Sequence, residues 1–156
     1  MKALVAFYSG TGNTAAVGRA IAKELGADVE EIETGSGKKP GFLSTGLSSF
    51  LNLKTGIAEC SSDPAKYDLV VVGTPTYGGK MSAQIRSYIE ANKACFPAKV
   101  AFFRVGGNVP GNGESVNRDM ASLAGRQAVA AADFAEKEVK SGEYAKKAKE
   151  FAAKLK

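Results

Sequence analysis

The sequence predicts an α/β fold in three layers: a doubly wound parallel sheet of five strands in the order 2-1-3-4-5. Three observations carry that prediction. Strand-like and helix-like segments alternate along the chain. The central segment YDLVVVGTP (67–75) is an apolar run suited to a parallel strand buried on both faces. Three strand ends open into loops of small, hydroxylated or glycine residues. At 156 residues and 44% apolar content, the chain is expected to be a single domain, 1–156, with a sizeable core.

Residues 2–8, KALVAFY, form a short buried strand that ends in the turn cluster SGTGNT. A helix follows from about Asn13 to Leu25, with Val17, Ile21 and Leu25 on one face and Gly26 placed to stop it. Residues 28–33, DVEEIE, alternate as an edge-like strand. The stretch 34–61 is rich in Gly, Ser and Lys and long for a loop, so it reads as an insertion with a possible short helix around Phe42 to Leu53. The strand at 67–75 runs through TYGGKMS into a helix from about Ala83 to Asn92. A fourth strand, 99–105, meets the turn-rich GGNVPGNGES, and a helix over 116–124 leads to a fifth strand near 128–134. The tail EYAKKAKEFAAKLK sets Tyr144, Ala148, Phe151, Ala152 and Leu155 on one stripe at helical spacing.

Composition removes whole classes of chemistry. The chain has no histidine, so Ser-His-Asp and Cys-His nucleophiles and histidine-ligated metals are excluded. Cys60 and Cys95 belong to no CxxC pair and read as reduced structural thiols. Difficult chemistry must therefore come from a bound cofactor, and no metal site is expected. The net charge of +5 is concentrated at one end: Lys137 to Lys156 hold seven lysines and three glutamates. A basic helical tail reads as a solvated face, so no nucleic-acid partner is expected. No apolar run is long enough for a membrane span, and the initial apolar run is too short for a signal peptide. A cytoplasmic location is expected.

The loops Ser9–Thr14, Thr74–Ser82 and Gly106–Ser115 follow the first, third and fourth strands. Those strands are neighbours in the order 2-1-3-4-5, so the loops converge on one crevice at the carboxyl edge of the sheet. The first loop has the character of a phosphate cradle. Gly10 and Gly12 permit close backbone approach, Ser9, Thr11 and Thr14 supply hydroxyls, and a helix begins there. It contains no lysine or arginine, which suits a monoester phosphate held by neutral donors. The same residues also fit GxGxxA, with Glu30, Glu31 and Glu33 about twenty positions on, but 156 residues barely accommodate a dinucleotide enzyme. GTPTYGGKM does not supply a P-loop. Tyr77 is an aromatic between Thr76 and two glycines on a loop, where stacking on a flat ligand explains it. Lys80 reads as a solvated residue at a helix start. Arg104, at a strand end, is a charge available to a partner.

SGTGNT after an apolar first strand, followed by GTPTYGGKMSAQIRSYIE after the third, resembles the flavodoxin family. The likeness is greatest to its short flavodoxin-like branch and, in the second loop, to the WrbA-type quinone reductases. GFLSTGLSSFLNLKTGIAE also looks like the insertion of that branch. The resemblance implies a flavodoxin-like three-layer fold and FMN as cofactor. It implies that Ser9, Thr11, Asn13 and Thr14, with the amides of Gly10 and Gly12, hold the phosphate. Thr74, Pro75, Thr76, Tyr77, Gly78 and Gly79 would line the isoalloxazine, with Tyr77 against one face. The two glycines would let a peptide turn over toward flavin N5. Gly106, Gly107 and Asn108 would approach the pyrimidine edge. Two departures from the family pattern bear on a low-potential carrier role rather than on FMN binding: the third loop lacks an aromatic, and the chain is basic.

The expected function is an FMN-binding redox protein passing electrons between protein partners, with no catalytic side chain. Two alternatives are an NAD(P)H-dependent quinone or small-molecule reductase using a small flat electron acceptor, and a flavodoxin-like binding module without flavin.

Overall fold

The computed structural model describes residues 1–35, 57–107 and 111–156. The short helix expected around 42–53 and the expected site residue Asn108 lie outside the described residues. Along the chain run β1 (Ala3–Phe7), α1 (Asn13–Leu25), β2 (Asp28–Glu31), β3 (Leu69–Tyr77), β4 (Lys80–Met81), α2 (Ala83–Asn92) and β5 (Lys99–Gly106). They are followed by α3 (Asn112–Ala124), β6 (Ala128–Ala135), α4 (Glu136–Ser141) and α5 (Tyr144–Ala153).

The strands β2, β1, β3, β5 and β6 lie side by side in that order, all parallel, which matches the expected order of five principal strands. The short β4 is additional and pairs antiparallel with the end of β3. Strand side chains alternate, and both sheet faces are covered. Ala3, Val5, Phe7, Leu69, Val71 and Phe103 pack toward α1 and α5. Leu4, Ala6, Val70, Val72, Val100 and Phe102 pack toward α2 and α3. This two-sided burial is why β1 and β3 read as continuous apolar runs.

The helix boundaries follow local chemistry. Gly26 ends α1 in the left-handed region at φ 62°, and Ala27 N–H donates to the Ala22 carbonyl at 2.9 Å. The stripe in the tail faces the core as expected: Ala148, Phe151, Ala152 and Leu155 are buried and Tyr144 packs beside them. Gly142 divides the tail into α4 and α5, and Glu138 joins the two parts by accepting from Lys147 Nζ at 3.1 Å.

One strand differs in its facing. In β2, Val29 is 42% exposed and Glu30 only 7%. The Glu30 carboxylate accepts from Ser61 N–H at 3.0 Å, Ser61 Oγ at 2.8 Å and Ser62 N–H at 2.9 Å. Burial pushes this carboxyl up, but the serine hydrogen bonds outweigh it and hold it below the usual value. Both cysteines are free thiols, Cys60 half-buried and Cys95 exposed. Among the described residues, no helix is long and apolar enough to cross a membrane.

Candidate functional site

The parallel order β1, β3, β5 brings three loops to one edge of the sheet. The first leaves β1 at Tyr8 and enters α1. Ser9 Oγ accepts from the N–H groups of Gly12 and Ala15, both at 3.1 Å, and folds the loop back over the first turn of α1. Gly12 is the N-cap and contributes no side chain, and the first turn holds no acidic residue. The amides of Asn13 and Thr14 have no partner among the described residues. Bare N–H groups at the positive end of a 13-residue helix suit an anion. Gly10, Thr11 and Gly12 are exposed, Ser9 and Asn13 half-buried, and Thr14 is buried.

The second loop is built more tightly than the sequence suggests. Thr74 is fully buried; its hydroxyl donates to the Pro75 carbonyl at 2.8 Å and accepts from Ser82 N–H at 3.0 Å. Ser82 Oγ in turn accepts from Ile85 N–H at 3.3 Å and caps α2. Thr74 therefore supports the loop from beneath rather than lining its surface. Above it, Gly78 at φ 56° and Gly79 at φ 74° occupy both central positions of a two-residue hairpin, with Tyr77 opposite Lys80. Two left-handed residues in succession match a primed turn, which glycine adopts without steric cost. Lys80 thus sits on β4, and α2 begins only at Ala83.

The loops touch. A Cβ placed on Gly10 would lie 2.7 Å from Tyr77 Oη and 3.8 Å from Tyr8 Oη, so the Tyr77 side chain reaches back over the first loop. Tyr77 is nevertheless 53% exposed. Burial, with Tyr8 beside it, pushes its phenol above the ordinary value, so Oη keeps its proton at neutral pH. A Cβ on Gly106 would lie 2.7 Å from Arg104 Nη1 and 2.8 Å from Thr76 Cβ, which brings the second and third loops together. Among the described residues, Thr76 Oγ1 is buried there without a hydrogen-bond partner, and a Cβ on exposed Gly107 would meet nothing within 4 Å. An anion-ready helix end, a half-exposed phenol and a bare glycine edge beside an orphaned hydroxyl fit a long ligand. The helix end suits an anionic group and the phenol suits a flat ring.

Tyr8 and Arg104 lie beside these loops in roles that their sequence positions do not reveal. Tyr8 follows the last residue of β1, where period-two alternation places it opposite Phe7. Arg104 is not a partner-facing charge: it is 2% exposed and paired with Asp133, Nε to Oδ1 at 2.5 Å and Nη2 to Oδ2 at 2.8 Å. The available signal was a charged residue inside an apolar strand, one strand from an aspartate.

A flavoprotein in complex with FMN from Lactobacillus acidophilus NCFM has this architecture, with a TM-score of 0.69 at 20% identity over 90% of this chain and 97% of that one. A WrbA-like protein from Agrobacterium tumefaciens matches with a TM-score of 0.60 at 16% identity over 97% and 95%. The Megasphaera elsdenii flavodoxin matches with 0.61 at 19% over 97% and 98%. The fold is flavodoxin-like. The family described as NADPH-dependent FMN reductase matches residues 2–141, and the chain belongs to that family. FMN is the cofactor this membership assigns.

Proposed function

We propose that the protein holds FMN in the crevice above β1, β3 and β5 and passes electrons between protein partners. When bound, FMN supplies the redox chemistry, and the chain supplies position and electrostatics. Ser9, Gly10, Thr11, Gly12, Asn13 and Thr14 hold the phosphate through amides and hydroxyls. Pro75, Thr76, Tyr77, Gly78 and Gly79 line the ring, with Tyr77 against one face and Thr74 beneath the loop. Gly106 and Gly107 approach the pyrimidine edge. The observation that carries this reading is the reach of Tyr77 Oη to Gly10, which sets an aromatic beside a helix end with bare amides. The lysine-rich face of α5 is solvated, and neither it nor any other surface is assigned to nucleic acid. The location is cytoplasmic.

The half-exposed Tyr77 and the family match favour a second reading, an NAD(P)H-dependent reductase of quinones or other small flat acceptors. Steady-state NADPH oxidation by the FMN-loaded protein with a quinone separates the two. Reduction that stays stoichiometric with protein until a reductase partner is added supports the carrier; sustained turnover with NADPH and quinone alone overturns it in favour of the enzyme.

A further inference from the structure

Beneath the third loop lies an ion pair whose two halves are in different environments. The Arg104 side chain is 3% exposed and that of Asp133 47%. Arg104 turns Nε and Nη2 toward Asp133, whereas Nη1 faces the loop and donates to the Gly107 carbonyl at 3.2 Å. The same Nη1 is the atom that a Cβ on Gly106 would meet at 2.7 Å. On the other side, the first turn of α3 closes over the pair. A Cβ on Gly113 would overlap the Asp133 carboxylate and lie 2.7 Å from Arg104 Nε, so only glycine fits there.

Asp133 lines an open groove between α3 and β6 together with Glu114 and Arg118. Those two neighbours are both exposed and pair with each other at 3.1 Å, so they add little field of their own. Water and salt screen the carboxylate far more than the buried guanidinium. The pair therefore does not cancel at Gly106 and Gly107. The positive charge that reaches the loop is that of Nη1, which donates to the Gly107 carbonyl.

We propose that Arg104 is a positioning residue that fixes Gly106–Gly107 and makes the site favour reduced over oxidised FMN; this rests on the FMN reading given above. Two electrons and one proton convert the neutral oxidised ring to an anionic reduced ring. A buried cation behind the pyrimidine-side loop stabilises the anion selectively. The positive field departs from an acidic site, in which reduced flavin is repelled.

The test is an anaerobic titration of apoprotein with oxidised FMN and with dithionite-reduced FMN, read as the ratio of the two dissociation constants. Asp133→Asn keeps a hydrogen-bonding partner but removes the compensating charge. It is expected to raise the preference for reduced FMN about tenfold, equivalent to about 30 mV for a two-electron couple. Arg104→Gln combined with Asp133→Asn is expected to bring the preference back to the parent level or below. A purely structural role would weaken both forms equally and leave the ratio unmoved. An unchanged or lowered ratio in Asp133→Asn, with oxidised FMN still bound, overturns the inference alone. Arg104→Lys provides a second check if the double variant does not fold: a ratio near that of the parent supports the proposal, and a tenfold fall contradicts it. A parent protein that binds neither form refutes the FMN reading itself, and the inference falls with it.

Discussion

Replacing Gly10 by alanine tests the contact that joins the first two loops. The added Cβ would lie 2.7 Å from Tyr77 Oη, whereas ordinary contact begins near 3.4 Å, so the phenol must retreat by about 0.7 Å. Gly10 is not in the left-handed region, so backbone strain adds nothing and the effect isolates the contact. Tyr77 is half-exposed and free to swing outward, away from the position that covers a ring. Losing an aromatic stack costs about 0.5–1.5 kcal/mol, which weakens FMN about two- to twelvefold. Tyr77→Phe removes the clashing oxygen and sets the nearest ring carbon back by one C–O bond. Gly10→Ala on that background should therefore weaken FMN much less, a coupling of about 1 kcal/mol in a double-mutant cycle. Quenching of FMN fluorescence in equilibrium titrations provides all four constants. Equal weakening by Gly10→Ala with and without Tyr77→Phe would refute the proposed contact.

Thr14 is 2% exposed at the second helical position, and Thr14→Val should weaken FMN by about 1.5–3 kcal/mol while leaving riboflavin unchanged. Paired titrations check this, and equal losses for both ligands would point to folding instead. Glu30→Gln should cost about 1–2 kcal/mol of stability at neutral pH, because three donors from Ser61 and Ser62 lose a charged acceptor. The folded carboxyl is held below its usual 4.5, so its stabilisation is present above that value and lost as pH falls through the lower folded one. Urea midpoints at a series of acidic pH values should show that loss in the parent and its absence in the variant. Tyr88 is fully buried and its hydroxyl has no partner among the described residues, so Tyr88→Phe should leave the urea midpoint unchanged or raise stability by up to about 1 kcal/mol.

Features written in local periodicity were legible from sequence. Apolar runs in β1 and β3, the Gly26 stop and the stripe from Ala148 to Leu155 all rest on neighbours within a few positions. Elements fixed by distant partners were not. The alternation in DVEEIE does not say which parity faces inward, and the serines that draw Glu30 inside lie 31 and 32 residues away. Arg104 and Asp133 meet because β5 and β6 pair in parallel register, 29 residues apart. The start of α3 read as a loop because Gly113 looks like a helix breaker, whereas the ion pair beside it leaves no room for a side chain. Gly78-Gly79 was legible as a turn, but a two-residue strand such as β4 is too short to show a period. In the crevice, the hydroxyl and glycine content of the first loop was readable, while the burial of Thr74 follows from its bonds to Ser82.

The central claim is that the first loop holds one terminal phosphate and the second loop a flavin ring. Titration of apoprotein with FMN, FAD and riboflavin under one set of conditions tests it most directly. FMN is expected to bind most tightly, because the bare amides of Asn13 and Thr14 suit a single phosphate and the loop from Ser9 to Thr14 has no lysine or arginine for a second. Riboflavin should bind more weakly by the phosphate contribution, yet still be quenched against Tyr77. FAD binding as tight as FMN, or riboflavin binding equal to FMN, would contradict the assignment of that loop.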